Sequence, residues 1–152
     1  MGRILNLRPR ILVADDEPSI LGLAATVLRR AGYQVDMAED GALAWDALQA
    51  NCYDLLITDH NMPKVTGLTL LKRIQAAQLD VPAILMSGNP PRTELRQNPE
   101  LLIAAILLKP FSMDELSATV NQVLFATIGD TEDIAHPPNW QSRPATGDLR
   151  RF

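Results

Sequence analysis

Short apolar runs alternate along this chain with longer segments of helical period, and most of the runs stop at a polar residue. Residues 11–14 read Ile-Leu-Val-Ala and meet Asp15-Asp16; residues 55–58 read Leu-Leu-Ile-Thr and meet Asp59. Residues 82–86 lead into Ser87, and residues 103–108 lead into Lys109. Runs that are apolar on both faces suit a parallel sheet, whose crossover helices cover it from each side. Residues 33–38 instead alternate Tyr, Val and Met with Gln and Asp, which predicts a half-exposed strand.

The segments between the runs carry helix signals. Pro18 suits a first helical turn, and Ile20, Leu21, Leu23, Ala24, Val27 and Leu28 recur at helical spacing before Gly32, a left-handed cap. Residues 42–50 form a second helix with Leu43, Ala47 and Leu48 as its apolar stripe, and residues 68–78 a third. Pro90, Pro91 and Pro99 leave room only for a short fourth helix near residues 93–97. Ser112 and Glu115 make a capping box for a last helix, whose apolar face is Leu116, Val120, Val123 and Leu124. Strands and helices alternating in this way predict an open, doubly wound α/β sheet with right-handed crossovers. The pattern is lost near residue 126. The expected organisation is an extension over 1–9, one folded unit over 10–126 and an irregular tail over 127–152.

A length of 152 residues, 47% hydrophobic and 21% charged, fits one soluble domain. No run approaches the roughly 20 apolar residues that span a bilayer, and the first ten residues have no signal-peptide core. A single cysteine, Cys52, excludes an internal disulfide and suits a reducing cytoplasm. The net charge of −4 offers no footprint for nucleic acid.

In open parallel sheets, ligands bind where the carboxyl ends of the strands meet. Here those ends deliver Asp15-Asp16, Asp59, Ser87 and Lys109. Clustered carboxylates repel one another unless a positive charge sits among them. Mg²⁺ satisfies such a set, since it takes oxygen ligands and needs only one or two carboxylates beside a phosphate. Lys109 adds a second cation and Ser87 a hydroxyl donor. A nucleophile, a metal and a cation are the parts phosphoryl transfer requires. Asp59, ending the central strand, is the natural acceptor, and aspartyl phosphates are an established covalent intermediate.

These same residues resemble the receiver domain of bacterial two-component response regulators. The likeness lies in Val-Ala-Asp-Asp-Glu-Pro, in Ile-Thr-Asp-His-Asn-Met-Pro followed by Gly67, and in Met-Ser-Gly and Leu-Lys-Pro-Phe. It covers roughly residues 10 to 126. The resemblance implies a flavodoxin-like fold with strand order 2-1-3-4-5 and a cis Lys109–Pro110 bond. It implies Mg²⁺ held by Asp16, Asp59 and the backbone carbonyl of Asn61, with Asp15 acting through water. It further implies phosphoryl donation by a histidine kinase or a phosphotransfer protein, a downstream protein target, and no catalysis beyond self-phosphorylation and slow self-dephosphorylation. A homodimer would use the face of the fourth helix.

The sequence departs from that family at Ile106, where receivers usually carry an aromatic residue that reports phosphorylation, and in its proline-broken fourth helix. Two other functions compete. A haloacid-dehalogenase-type phosphatase needs a second Asp two residues after the nucleophile, and that position is Asn61. A phosphorylation-independent scaffold would account for Ile106 but not for a complete acidic site. His60 reads as a neighbour of the site rather than its base, Cys52 as a packed small residue, and Trp45 as partly exposed. Trp140 needs something to pack on.

Overall fold

The computed structural model describes residues 8–129, with side chains to residue 125. The extension before Arg8 and the tail from residue 130, Trp140 included, lie outside the described residues. The order is β1 (Arg10–Ala14), α1 (Pro18–Arg30), β2 (Gln34–Ala38), α2 (Gly41–Ala50), β3 (Leu55–Asp59), α3 (Gly67–Ala76), β4 (Ala83–Ser87), α4 (Arg92–Gln97), β5 (Ile103–Leu108) and α5 (Met113–Gly129). The strands form one parallel sheet in the order β2-β1-β3-β4-β5.

Alternation along each strand divides the interior into two cores. Ile11, Val13, Leu55, Ile57, Ile84 and Met86 face α1 and α5, whereas Leu12, Leu56, Leu85 and Ile106 face α2, α3 and the buried Leu95 of α4. Strands β3 and β4 are buried at every position, as their continuous apolar sequences predict. Each fully buried Leu or Ile contributes about 1.5–3 kcal/mol relative to exposure.

Local signals hold where they have a mechanism. Gly32 takes φ 99° just past α1. Glu115 N–H donates to Ser112 Oγ at 3.1 Å, the main bond of the predicted capping box. Lys109–Pro110 is cis. Periodicity was a blunter guide to which flank of a helix is buried. In α1 the buried residues are Leu21, Ala24, Ala25 and Leu28, while Leu23 is exposed. In α2, Ala44 and Leu48 are buried and Leu43 is exposed. Asp40 caps α2 by accepting the Leu43 N–H at 2.8 Å. Met37 is also exposed, on β2 at the edge of the sheet.

Cys52 is a correction: it is exposed, and the neighbouring Tyr53 is the buried residue at this corner. The Tyr53 hydroxyl donates to Asp36 Oδ2 at 2.7 Å, and Arg10 donates to the same oxygen from Nη2 at 2.7 Å. This knot ties the start of β1 to β2 and to the entry of β3. Burial, followed by the hydrogen bond to Asp36, pushes the Tyr53 phenol up to about 12. Trp45 is partly buried against the α2 side of the core, as expected. Among the described residues no helix is long and apolar enough to cross a membrane.

Candidate functional site

The carboxyl edge of the sheet brings together Asp15, Asp16, Asp59 and Lys109, and sets Ser87 on the strand beside Asp59. Strand β1 delivers Asp15 into full burial, and Asp16 follows it into solvent. Asp15 Oδ1 accepts the Glu17 N–H at 2.9 Å, satisfying a donor at the start of α1, where Glu17 supplies no side-chain cap. Asp59 ends β3 only 5% exposed. The β3–β4 register pairs Asp59 with Met86, so Ser87 stands one residue further along the neighbouring strand, 1% exposed. The Ser87 hydroxyl accepts the Asn89 N–H at 3.1 Å, which leaves its proton available to another acceptor.

Lys109 completes the edge from β5. Its Nζ lies 3.2 Å from Asp59 Oδ1 and 3.4 Å from Asp15 Oδ2, and its backbone N–H donates to the Ser87 carbonyl at 3.0 Å. Burial raises the Asp59 carboxyl above its usual range, the Asp15 charge adds to this, and Lys109 only partly offsets it. Burial lowers the Lys109 ammonium, but Asp15 and Asp59 together outweigh burial and leave it raised. One ammonium is therefore shared by buried carboxylates that still repel.

That imbalance fits a hard cation. Oxygens of Asp15, Asp16 and Asp59 lie within 4.8 Å of one another, a spacing that one oxygen-loving ion can bridge directly or through its waters. Asn61 is exposed in the loop just beyond Asp59. His60 is part-buried, and its Nδ1 is buried without a hydrogen-bond partner among the described residues. Gly67, already part of the motif read from the sequence, owes its place to the close approach of the chain, since a Cβ there would lie 2.5 Å from the Asp59 carbonyl oxygen. Sequence reasoning missed the residues that brace this edge from behind, which are Asp40, Gly41 and Lys64. They come from two loops far apart in sequence, which no periodicity links.

A parallel five-stranded sheet of this order with an acidic pocket at its carboxyl edge defines a receiver-type phosphoacceptor domain. The chain belongs to the response regulator receiver domain family, whose model matches residues 11–121. It is 34% identical over 111 residues to the transcriptional regulatory protein DltR of Streptococcus agalactiae, which covers 73% of this chain and 50% of that protein. It is 34% identical over 113 residues to the sensor protein EvgS of Escherichia coli O157:H7, covering 74% of this chain and 9% of that one. The chain thus spans about half the length of the curated regulators it matches, and far less of the sensor proteins.

The receiver domain of Francisella response regulator 1452 superposes with a TM-score of 0.71 at 30% identity, covering 79% of this chain and 99% of that one. The response regulator TrrA of Thermotoga maritima, solved in complex with Mg²⁺ and BeF, superposes at 0.65 with 33% identity, covering 76% and 99%. Membership makes this chain a phosphoacceptor signalling module, and the phosphatase and scaffold alternatives are not favoured. Receiver domains are in general signalling modules rather than enzymes, and they work with histidine kinases or phosphotransfer partners.

Proposed function

We propose that Asp59 is the phosphoryl acceptor, and that Asp15, Asp16, Ser87, Lys109 and the Asn61 carbonyl make up the rest of the site. The single observation that carries this reading is the Lys109 ammonium 3.2 Å from Asp59 Oδ1 within a cluster of three carboxylates. An Asp59 carboxylate oxygen attacks the phosphorus of a phosphohistidine. The P–N bond breaks with its electron pair on nitrogen, leaving an acyl phosphate. Lys109 then faces a new dianionic group, and the Ser87 hydroxyl is free to donate to one of its oxygens.

Mg²⁺, held by Asp16, Asp59 and the Asn61 carbonyl with Asp15 reaching it through water, would draw negative charge from the phosphoryl oxygens. The donor is a histidine kinase or a histidine phosphotransfer protein, and the signal leaves through protein contacts rather than through nucleic acid or membrane. A homodimer through the α4 side belongs to the same reading. The phosphoacceptor unit is residues 10–126, between an extension over 1–9 and a tail or linker over 127–152, and it works in the cytoplasm. It turns over no external substrate beyond accepting and slowly hydrolysing its own phosphoryl group.

The test is intact mass after incubation with Mg²⁺ and acetyl phosphate. One labile phosphoryl addition is expected on the wild type and none on Asp59→Ala. An addition that survives Asp59→Ala would sink the assignment, and sustained turnover of a phosphomonoester would point to a phosphatase.

A further inference from the structure

The loop that follows Asp59 is held from outside the site. Within it, Lys64 has φ 70°, left-handed backbone that costs a residue with a Cβ roughly 1–2 kcal/mol. Its ammonium lies 3.2 Å from Asp40 Oδ2, and the other oxygen of that carboxylate caps α2. The Asp40 side chain is only 10% exposed, so one end of the pair is fixed by the fold. The next residue, Gly41, makes room for the loop: a Cβ there would lie 2.0 Å from the Val65 carbonyl oxygen. At the end of β2, the Ala38 carbonyl accepts the Asp15 N–H at 3.1 Å. The short connection from β2 to α2 therefore touches both loops that flank the carboxylate cluster, yet adds no side chain to that cluster.

We propose that Lys64 and Asp40 are positioning residues for the divalent cation, their ion pair seating the loop on Gly41 and holding the Asn61 carbonyl ready as a ligand. This rests on the metal reading above. Mg²⁺ demands near-ideal octahedral geometry, so a ligand carried on a loop is worth most when that loop is fixed before the ion arrives. The pair itself is worth little to folding, because Lys64 is 67% exposed. Its effect belongs to the geometry of the loop.

The sign of one substitution separates positioning from simple charge. Removing the Lys64 ammonium takes a positive charge away from a cation site, which by electrostatics alone tightens Mg²⁺ binding. Loss of positioning weakens it. Titrating the full chain with Mg²⁺ by calorimetry at fixed ionic strength, we expect Lys64→Met to weaken binding about two- to fivefold, the size of a half-exposed ion pair. Asp40→Asn keeps a competent helix cap and should weaken binding by at least as much. In the double variant, Lys64→Met should add nothing further, while Lys64→Arg should retain wild-type affinity. Melting temperature in EDTA is expected to stay within a degree or two for Lys64→Met, which separates the effect from unfolding. Unchanged or tighter binding by Lys64→Met, with normal binding by the wild type, overturns this inference alone. A wild type that binds no Mg²⁺ overturns the metal reading and this inference with it.

Discussion

Lys109 Nζ and Asp59 Oδ1 meet at 3.2 Å across the carboxyl edge of the sheet, joining the end of β5 to the end of β3. The same nitrogen reaches the fully buried Asp15 at 3.4 Å, so a single cation answers for two acids. Removing it leaves both uncompensated. Lys109→Met is expected to destabilise the metal-free protein by about 2 kcal/mol, less than for a sealed ion pair because the lysine side chain keeps 21% exposure. Added Mg²⁺ should recover part of that loss while phosphorylation by acetyl phosphate stays at least tenfold slower. Thermal unfolding with and without Mg²⁺, beside a mass time course, checks both. An equal loss of stability in either condition would show that the metal and the lysine do not share the same acids.

The raised Asp59 carboxyl gives a pH dependence with a definite sign. Burial and Asp15 lift it above the ordinary 3.8, so the folded protein holds this proton more tightly than the unfolded chain. The resulting stabilisation is fully present below the unfolded value and is lost as pH rises through the folded one. Metal-free protein should therefore give up this contribution above the ordinary aspartate range, at the acid end of its stability profile. Asp15→Asn removes the second cause of the shift and should move that step to lower pH. Melting temperature against pH in EDTA reads it directly, and an unmoved step would rule out Asp15 as a cause.

Ile106 behaves as core. It is 0% exposed and pairs across the sheet with Leu85, in the same core as Leu95. Ile106→Ala should cost about 3 kcal/mol through the cavity it leaves. Ile106→Tyr should cost about 1–3 kcal/mol by overpacking. Phosphoryl uptake at saturating Mg²⁺ should survive both changes. A loss of uptake in folded Ile106→Ala would place this residue in the chemistry instead.

Gly67 makes a complementary case, since its defect should appear in the site before it appears in the core. A Cβ there would lie 2.5 Å from the Asp59 carbonyl oxygen and 2.9 Å from His60 Cα, both backbone atoms that cannot swing aside. Gly67→Ala is expected to lose about 1–3 kcal/mol of stability and to slow phosphoryl uptake more than tenfold. Uptake at the wild-type rate would mean that the end of β3 has slack that the static geometry hides.

The sheet and its chemical edge were legible because each rests on a local rule. Continuous apolar runs gave β3 and β4, and the polar residues that end the runs gave Asp15, Asp59, Ser87 and Lys109. Helix flanks were not legible to the same degree. A stripe through Leu23 and one through Ala25 both satisfy helical spacing, and only the packing of α1 on the sheet chooses between them. Cys52 was misread because its side chain alternates with that of Tyr53 at a corner where the larger residue wins the interior. The brace behind the site was invisible for another reason. Asp40 and Lys64 are 24 residues apart and meet because the loops that follow the parallel strands β2 and β3, on either side of β1, emerge at the same edge of the sheet.

The burial of Ile106 has a consequence for how much the molecule can say. A ring at that position would offer two orientations, in effect a one-bit register readable from outside. Ile106, fully buried in the apolar core, has no ring plane or hydroxyl to re-aim. A signal leaving this edge would have to use other groups, and the nearby segment between Ser87 and α4 contains Pro90 and Pro91, each of which fixes its own φ angle.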